Sequence, residues 1–155
     1  MVCTMGYILD LRKHVGSRPL IMAGACVLVF NGERQLLLQK RSDSFDWGTI
    51  GGAMELGDSF EEAAHRELME EAGLTAASLR FVTLLSGKDA YYRYPNGDEV
   101  YNATAVYEAL GVQGEPRIND HEGLELRYFS LDEPIPDLNP FSEIILRRAG
   151  YIQKW

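Results

Sequence analysis

Cysteine is scarce in this chain of 155 residues: Cys3 and Cys26 are the two present. They do not make a disulfide framework or a cysteine metal site, and a reducing cytoplasm is the expected setting. Long hydrophobic runs are missing too. The longest, residues 23–30, is too short to span a bilayer, and no charged-then-apolar leader is seen, so no membrane partner is expected. Positive charge is in deficit, with 15 Lys and Arg against 23 Asp and Glu and a net charge of −8. That balance argues against a nucleic-acid polymer as partner, because a phosphate backbone is bound by clustered Lys and Arg. A small-molecule nucleotide remains open, since a bound divalent metal supplies the missing positive charge. Repeats and low-complexity linkers are also lacking. At 46% hydrophobic, residues 1–155 read as one domain with a real core.

What is present is most informative in residues 51–74, GGAMELGDSFEEAAHRELMEEAGL. Ser59 followed three residues later by Glu62 is a capping box, and Gly73 is the expected residue just past a helix end. The spacing predicts a helix over 60–72. On it Phe60, Ala64 and Leu68 form an apolar stripe, while Glu67, Glu70 and Glu71 share a narrow arc beside Ala63. Three carboxylates there repel one another and face the partial negative charge of the helix C-terminus, a penalty of roughly 0.3 to 1 kcal/mol each when exposed. A solvated surface helix would interleave Lys or Arg at i+4. Here only Arg66 and His65 supply basic character, and Lys is absent from the segment. Clustered hard oxygen ligands suit Mg²⁺ or Mn²⁺.

The segment resembles the signature of the Nudix hydrolase family: Gly, five residues, Glu, seven residues, then Arg-Glu-aliphatic-x-Glu-Glu-x-Gly-aliphatic. It reads here as Gly52, Asp58, Arg66, Glu67, Leu68, Glu70, Glu71, Gly73 and Leu74, with Asp58 in place of Glu as the one departure. Ile50 stands where many relatives have Pro. The resemblance implies an α/β fold, a mixed sheet sandwiched between helices with the box as a loop and helix. It implies a metal cage from Glu67, Glu70, Glu71 and the Gly52 carbonyl, with Arg66 orienting a box glutamate. It also implies a late acidic loop supplying a general base or further ligand, for which Glu122 comes first and Glu125 second, with Glu67 the base if it is not a ligand. The activity implied is metal-dependent cleavage of a diphosphate linking a nucleoside to another group, such as ADP-ribose or a nucleotide sugar. Two alternatives stand beside it: a pyrophosphohydrolase of oxidised nucleoside triphosphates, and a non-catalytic metal-nucleotide sensor for which Asp58 is the hint.

Elsewhere the signals are mainly structural. Tyr7, Ile8 and Leu11 give residues 1–18 a short apolar stripe, suited to packing or to a contact in a homodimer. Residues 19–30 read as a buried strand, Asn31-Gly32 as a hairpin turn, and 35–39 as its partner. Arg41, Phe45 and Trp47 lead into the box and are candidate substrate contacts, Arg41 for a phosphate. Residues 79–86 and 100–109 have strand character and flank the turn Pro95-Asn96-Gly97-Asp98. Tyr91, Tyr92 and Tyr94 lie between them as cross-strand partners, with Tyr92 also a candidate platform for a base or sugar. Asp120, His121, Glu122 and Glu125 precede a strand at 126–130. Asn139 and Pro140 open a final helix over 140–149.

Overall fold

The computed structural model describes residues 6–120 and 122–153; Cys3 and His121, named above, lie outside the described residues. Helix α1 (Tyr7–Val15) precedes strands β1 (Leu20–Leu28), β2 (Leu36–Arg41), β3 (Trp47–Gly48) and β4 (Ile50–Ala53). Helix α2 (Phe60–Ala72) follows, then β5 (Thr75–Leu85), β6 (Tyr91–Arg93), β7 (Glu99–Gln113), β8 (Gly123–Phe129) and helix α3 (Pro140–Arg148). A single 3₁₀ turn, Lys88–Ala90, sits before β6.

Two sheets share the centre. One runs β4-β1-β7-β5 with β6 also on β7, and the other β3-β2-β8. The first is mixed: β1 and β7 are parallel, in register from Leu20↔Val100 to Leu28↔Glu108, while β4 and β5 join antiparallel. Alternation along β1 explains how helices cover both faces. Ala25 and Val27 pack with Ala63, Ala64, Leu68 and Ala72 of α2, whereas Cys26 and Leu28 pack with Ile145 and Leu146 of α3. Strand β2 does the same, with Leu37 on the α2 side and Leu36 and Leu38 on the α3 side. The expected mixed-sheet α/β sandwich is what forms.

One pairing expectation is overturned. Residues 19–30 and 35–39 do not make a hairpin within one sheet; β1 pairs β4 and β7, β2 pairs β3 and β8, and only an isolated bridge, Phe30↔Leu36, joins them. The turn itself is built on Asn31, whose Oδ1 accepts from the backbone N–H of Glu33 and Gln35, and the left-handed residue is Arg34 (φ 58°), not Gly32. An Asx-type loop of this kind lets the strands splay into separate sheets.

Local signals on the helices hold. Ser59 Oγ accepts from Glu62 N–H and the Glu62 carboxylate from Ser59 N–H, while Gly73 closes α2 at φ 67°. Asn139 Oδ1 accepts from Phe141 and Ser142 at the start of α3. Tyr91 meets Tyr101 across β6 and β7, centroids 5.3 Å apart, a cross-strand pair as expected. No described helix is long and apolar enough to cross a membrane.

Candidate metal and diphosphate site

The loop from β4 into α2 brings the box glycines against the helix acids. Gly51 N–H donates to Glu71 Oε1 at 2.8 Å. A Cβ at Gly52 would lie 2.6 Å from Glu67 Oε2, so only glycine lets that carboxylate seat against the strand. Gly51 is needed for a different approach, since a Cβ there would lie 2.4 Å from the Ala25 carbonyl oxygen of the adjacent β1.

Arg66 fastens this loop to the helix. Its guanidinium donates to Glu67 Oε1 (3.0 Å), to the Ala53 carbonyl (3.1 Å) and to Asp58 Oδ2 (2.9 Å), with Glu70 at 3.5 Å. Asp58 also accepts from Glu55 N–H at 3.0 Å. The shorter side chain therefore still reaches Arg66, aided by the tight turn at 55–58.

Glu67 and Glu71 are almost fully buried, at 9% and 4% exposure. Burial, followed by the neighbouring Glu70 and Glu122, lifts Glu67 to about 7 against the pull of Arg66. Burial, then Glu67, lifts Glu71 well above the usual carboxylate range, although Gly51 N–H and the Gln39 amide stabilise its anion. Glu122 rises as well, through desolvation and then Asp120. Carboxylate oxygens of Glu71, Asp120 and Glu122 lie within 4.8 Å of one another. Buried Gln39 Oε1 has no partner among the described residues. Closely spaced acids, with Glu67, Glu71 and Glu122 raised by burial and like charge and an orphaned carbonyl oxygen beside them, fit a hard divalent cation.

Gln39, Glu67, Glu71 and Glu122 line one cleft of about 730 Å³. The structure places Gly52, Arg66, Glu67, Glu70, Glu71, Glu122 and Arg41 along it. Arg41 is held bidentately by Asp43, at 3.1 and 3.0 Å. Tyr92 lines a smaller adjoining cavity of about 90 Å³ and its hydroxyl accepts from Asn139 at 3.1 Å. Three sequence candidates lie elsewhere. Glu125 is on β8 opposite Lys40 and pairs with Arg127 at 2.7 Å, because the strand begins at Gly123 rather than 126. Trp47 is 5% exposed and packs edge-on against Phe129 in the α3-side core. Phe45, at φ 57°, is 63% exposed and lines neither cavity. Gln39 was not named from sequence, and Asp120 was named in the late acidic loop but given no role.

The NUDIX domain family pattern matches residues 20–149. The chain belongs to the Nudix hydrolase family. It is similar to the NAD-capped RNA hydrolase NudC of Actinobacillus succinogenes, 31% identical over 135 residues that make up 83% of this chain and 47% of that protein. A shorter match, 44% identical over 72 residues, is to a Bacillus subtilis protein named provisionally as an 8-oxo-dGTP diphosphatase, covering 46% of this chain and 44% of that one. Among solved structures, the MutT Nudix hydrolase of Burkholderia pseudomallei superposes with a TM-score of 0.68 at 26% identity, over 84% of this chain and 97% of that one. The chain spans about half the length of the curated relatives it matches. Nudix hydrolases generally use divalent metals, and Glu71, Asp120 and Glu122 form an acidic group that could hold one.

Proposed function

We propose that this Nudix hydrolase splits the diphosphate of a nucleoside diphosphate joined to a second group, with Mg²⁺ or Mn²⁺ as cofactor. The observation that carries the reading is the pair of buried carboxylates Glu67 and Glu71, the first sharing Arg66 with Asp58 and Glu70 and the second bonded by neutral donors, in a cleft that also holds Arg41 and Glu122. Glu67, Glu70, Glu71 and the Gly52 carbonyl are assigned as the metal-holding set, with Asp120 and Glu122 on the facing loop. When bound, the divalent cation neutralises the diphosphate and acidifies a coordinated water. The chain's own residues do the rest. Arg66 keeps Glu67 oriented, Gly51 N–H keeps Glu71 oriented, and Arg41 meets a phosphate oxygen once it exchanges Asp43 for substrate. Glu122, exposed and raised above the ordinary carboxylate value, takes the proton of the attacking water.

The NAD cap named for the relative from Actinobacillus succinogenes contains a diphosphate between a nucleoside and another moiety, the linkage that ADP-ribose and nucleotide sugars also have. The net charge of −8 favours a free conjugate over an RNA chain. A triphosphate substrate is the second reading, favoured by the higher local identity to the Bacillus subtilis protein. Asp58, the hint for a non-catalytic sensor, still holds Arg66 and so gives that idea no support. The test is a panel of conjugates and triphosphates with Mg²⁺ and with Mn²⁺, read by phosphatase-coupled phosphate release and product analysis. Two phosphomonoesters uphold the first reading; a monophosphate with inorganic pyrophosphate replaces it with the second.

A further inference from the structure

Helix α1 lies outside the 20–149 segment that matches the family, yet it forms part of the cleft. Gly6, Ile8, Leu9 and Arg12 line it together with the acids of α2. The helix has nine residues and its apolar stripe, Ile8, Leu11 and Val15, is only half-buried, so neither its own length nor this shallow seam alone holds it in place. Polar clasps at its two ends do. At the first, Tyr7 N–H donates to Glu55 Oε1 at 2.8 Å, and a Cβ at Gly6 would lie 2.9 Å from Glu55 Oε2, so the Nudix loop backs closely onto the helix start. At the second, Arg12 donates to the carbonyls of Gly16 (2.9 Å), Arg18 (2.6 Å) and Glu99 (2.7 Å) and lies 3.7 Å from Asp98. Its side chain is 8% exposed and its buried Nε has no hydrogen-bond partner among the described residues.

The clasps hold apolar side chains over a polar cleft. Leu9 is 53% exposed, and Ile8 beside it is half-buried. Apolar groups kept in water cost free energy until a ligand covers them. The cleft, at about 730 Å³, is sized for a whole nucleotide conjugate rather than a phosphate alone. Its acid-lined part suits a metal-bound diphosphate, and the Ile8–Leu9 part suits the flat face of a heteroaromatic ring.

We infer that α1 is a specificity wall of the site, with Ile8 and Leu9 packing on the base at one end of the diphosphate conjugate and Arg12 pinning the helix there. This rests on the proposed function. The test uses NAD as substrate, and its halves AMP and nicotinamide mononucleotide as inhibitors, with the double variant Ile8→Ser/Leu9→Ser and with Arg12→Ala. Both positions of the double variant lie off the core, so its melting temperature should match wild type. Its KM for NAD should rise about tenfold with kcat within twofold, and inhibition by one half should weaken while the other is unchanged. Arg12→Ala should shift KM in the same direction by freeing the second clasp. An unchanged KM, a fall in kcat in its place, or equal weakening of both halves overturns the inference and leaves the proposed function standing. Wild-type protein that turns over no diphosphate conjugate overturns both.

Discussion

Two groups of buried glutamates in this molecule are treated in opposite ways. Glu108, 7% exposed near the middle of β7, receives Arg34 at 2.8 Å, Arg80 at 2.5 Å and the Tyr151 hydroxyl at 3.2 Å. Burial pushes its carboxyl up, but the two guanidinium partners outweigh that and hold it below its ordinary value. Glu67 and Glu71 are as deeply buried and go the other way, Glu67 to about 7. Arg66 touches Glu67 but is shared with Asp58, the Ala53 carbonyl and Glu70, while among the described residues Glu71 accepts only from neutral donors, Gly51 N–H and the Gln39 amide. Where an acid only joins strands and loops, the fold supplies its cations. Where the acids face the cleft, neutralisation is left to what binds.

The comparison is broken most directly by Glu71→Gln. It should lower Mg²⁺-dependent turnover by about a thousandfold or more in a steady-state assay with the circular dichroism spectrum intact, and near wild-type activity would sink the assignment. Gly52→Ala comes next, expected to cost on the order of a hundredfold in kcat/KM, because the new methyl displaces the Glu67 carboxylate by a fraction of an ångström.

The two groups should then differ in pH dependence. Glu108 has a depressed native value, so its contribution to stability is present above the unfolded value and lost as pH falls through the native one. Glu108→Gln should therefore destabilise the fold at pH 7 by about 1 to 3 kcal/mol, read as a lower melting temperature, and the gap to wild type should close as pH falls below about 4. Glu71 has a raised native value, so the wild-type protein loses stability as pH rises above the unfolded value. In chelator-treated protein Glu71→Gln should thus melt a few degrees higher at pH 8, and that gain should vanish below about pH 4. The smallest effect concerns Cys26, fully enclosed and pushed up to about 12 by burial. In a Cys3→Ser background it should stay unlabelled by a thiol reagent at pH 8 until denaturant is added.

Sequence revealed α2 to the residue, because the capping box, Gly73 and the apolar stripe are local signals written within one turn of where they act. Strand pairing was less visible. Asn31-Gly32 announces a turn but not its partners, and β1 takes β7 at a separation of 80 residues, Leu20↔Val100, which no local pattern encodes. Within the site, the box spacing brought Glu67, Glu70, Glu71 and Arg66 together, since a helix period fixes them. Residues outside the box depended on details beyond reach. Glu122 and Glu125 are three apart in sequence, and the start of β8 between them sends one to the cleft and the other to Arg127. Trp47 is drawn into the core by its pairing with Lys40 and the edge contact with Phe129, whereas a left-handed backbone turns Phe45 outward.

The end of α2 has a mechanical consequence. Every α-helix leaves carbonyls unpaired at its C-terminus. Here the Ala72 carbonyl takes Arg117 N–H and the Met69 carbonyl takes the Asn119 amide, both at 2.9 Å. Those two bonds moor the segment that carries Asp120 and Glu122 to the same helix that carries Glu67, Glu70 and Glu71. The facing acids are thus not independent parts that meet by chance of folding. Displacing the loop that carries Asp120 and Glu122 would break those two hydrogen bonds, so the loop is tied to the last turn of α2, the turn that also carries Glu70 and Glu71, by contacts that lie outside the cleft lining.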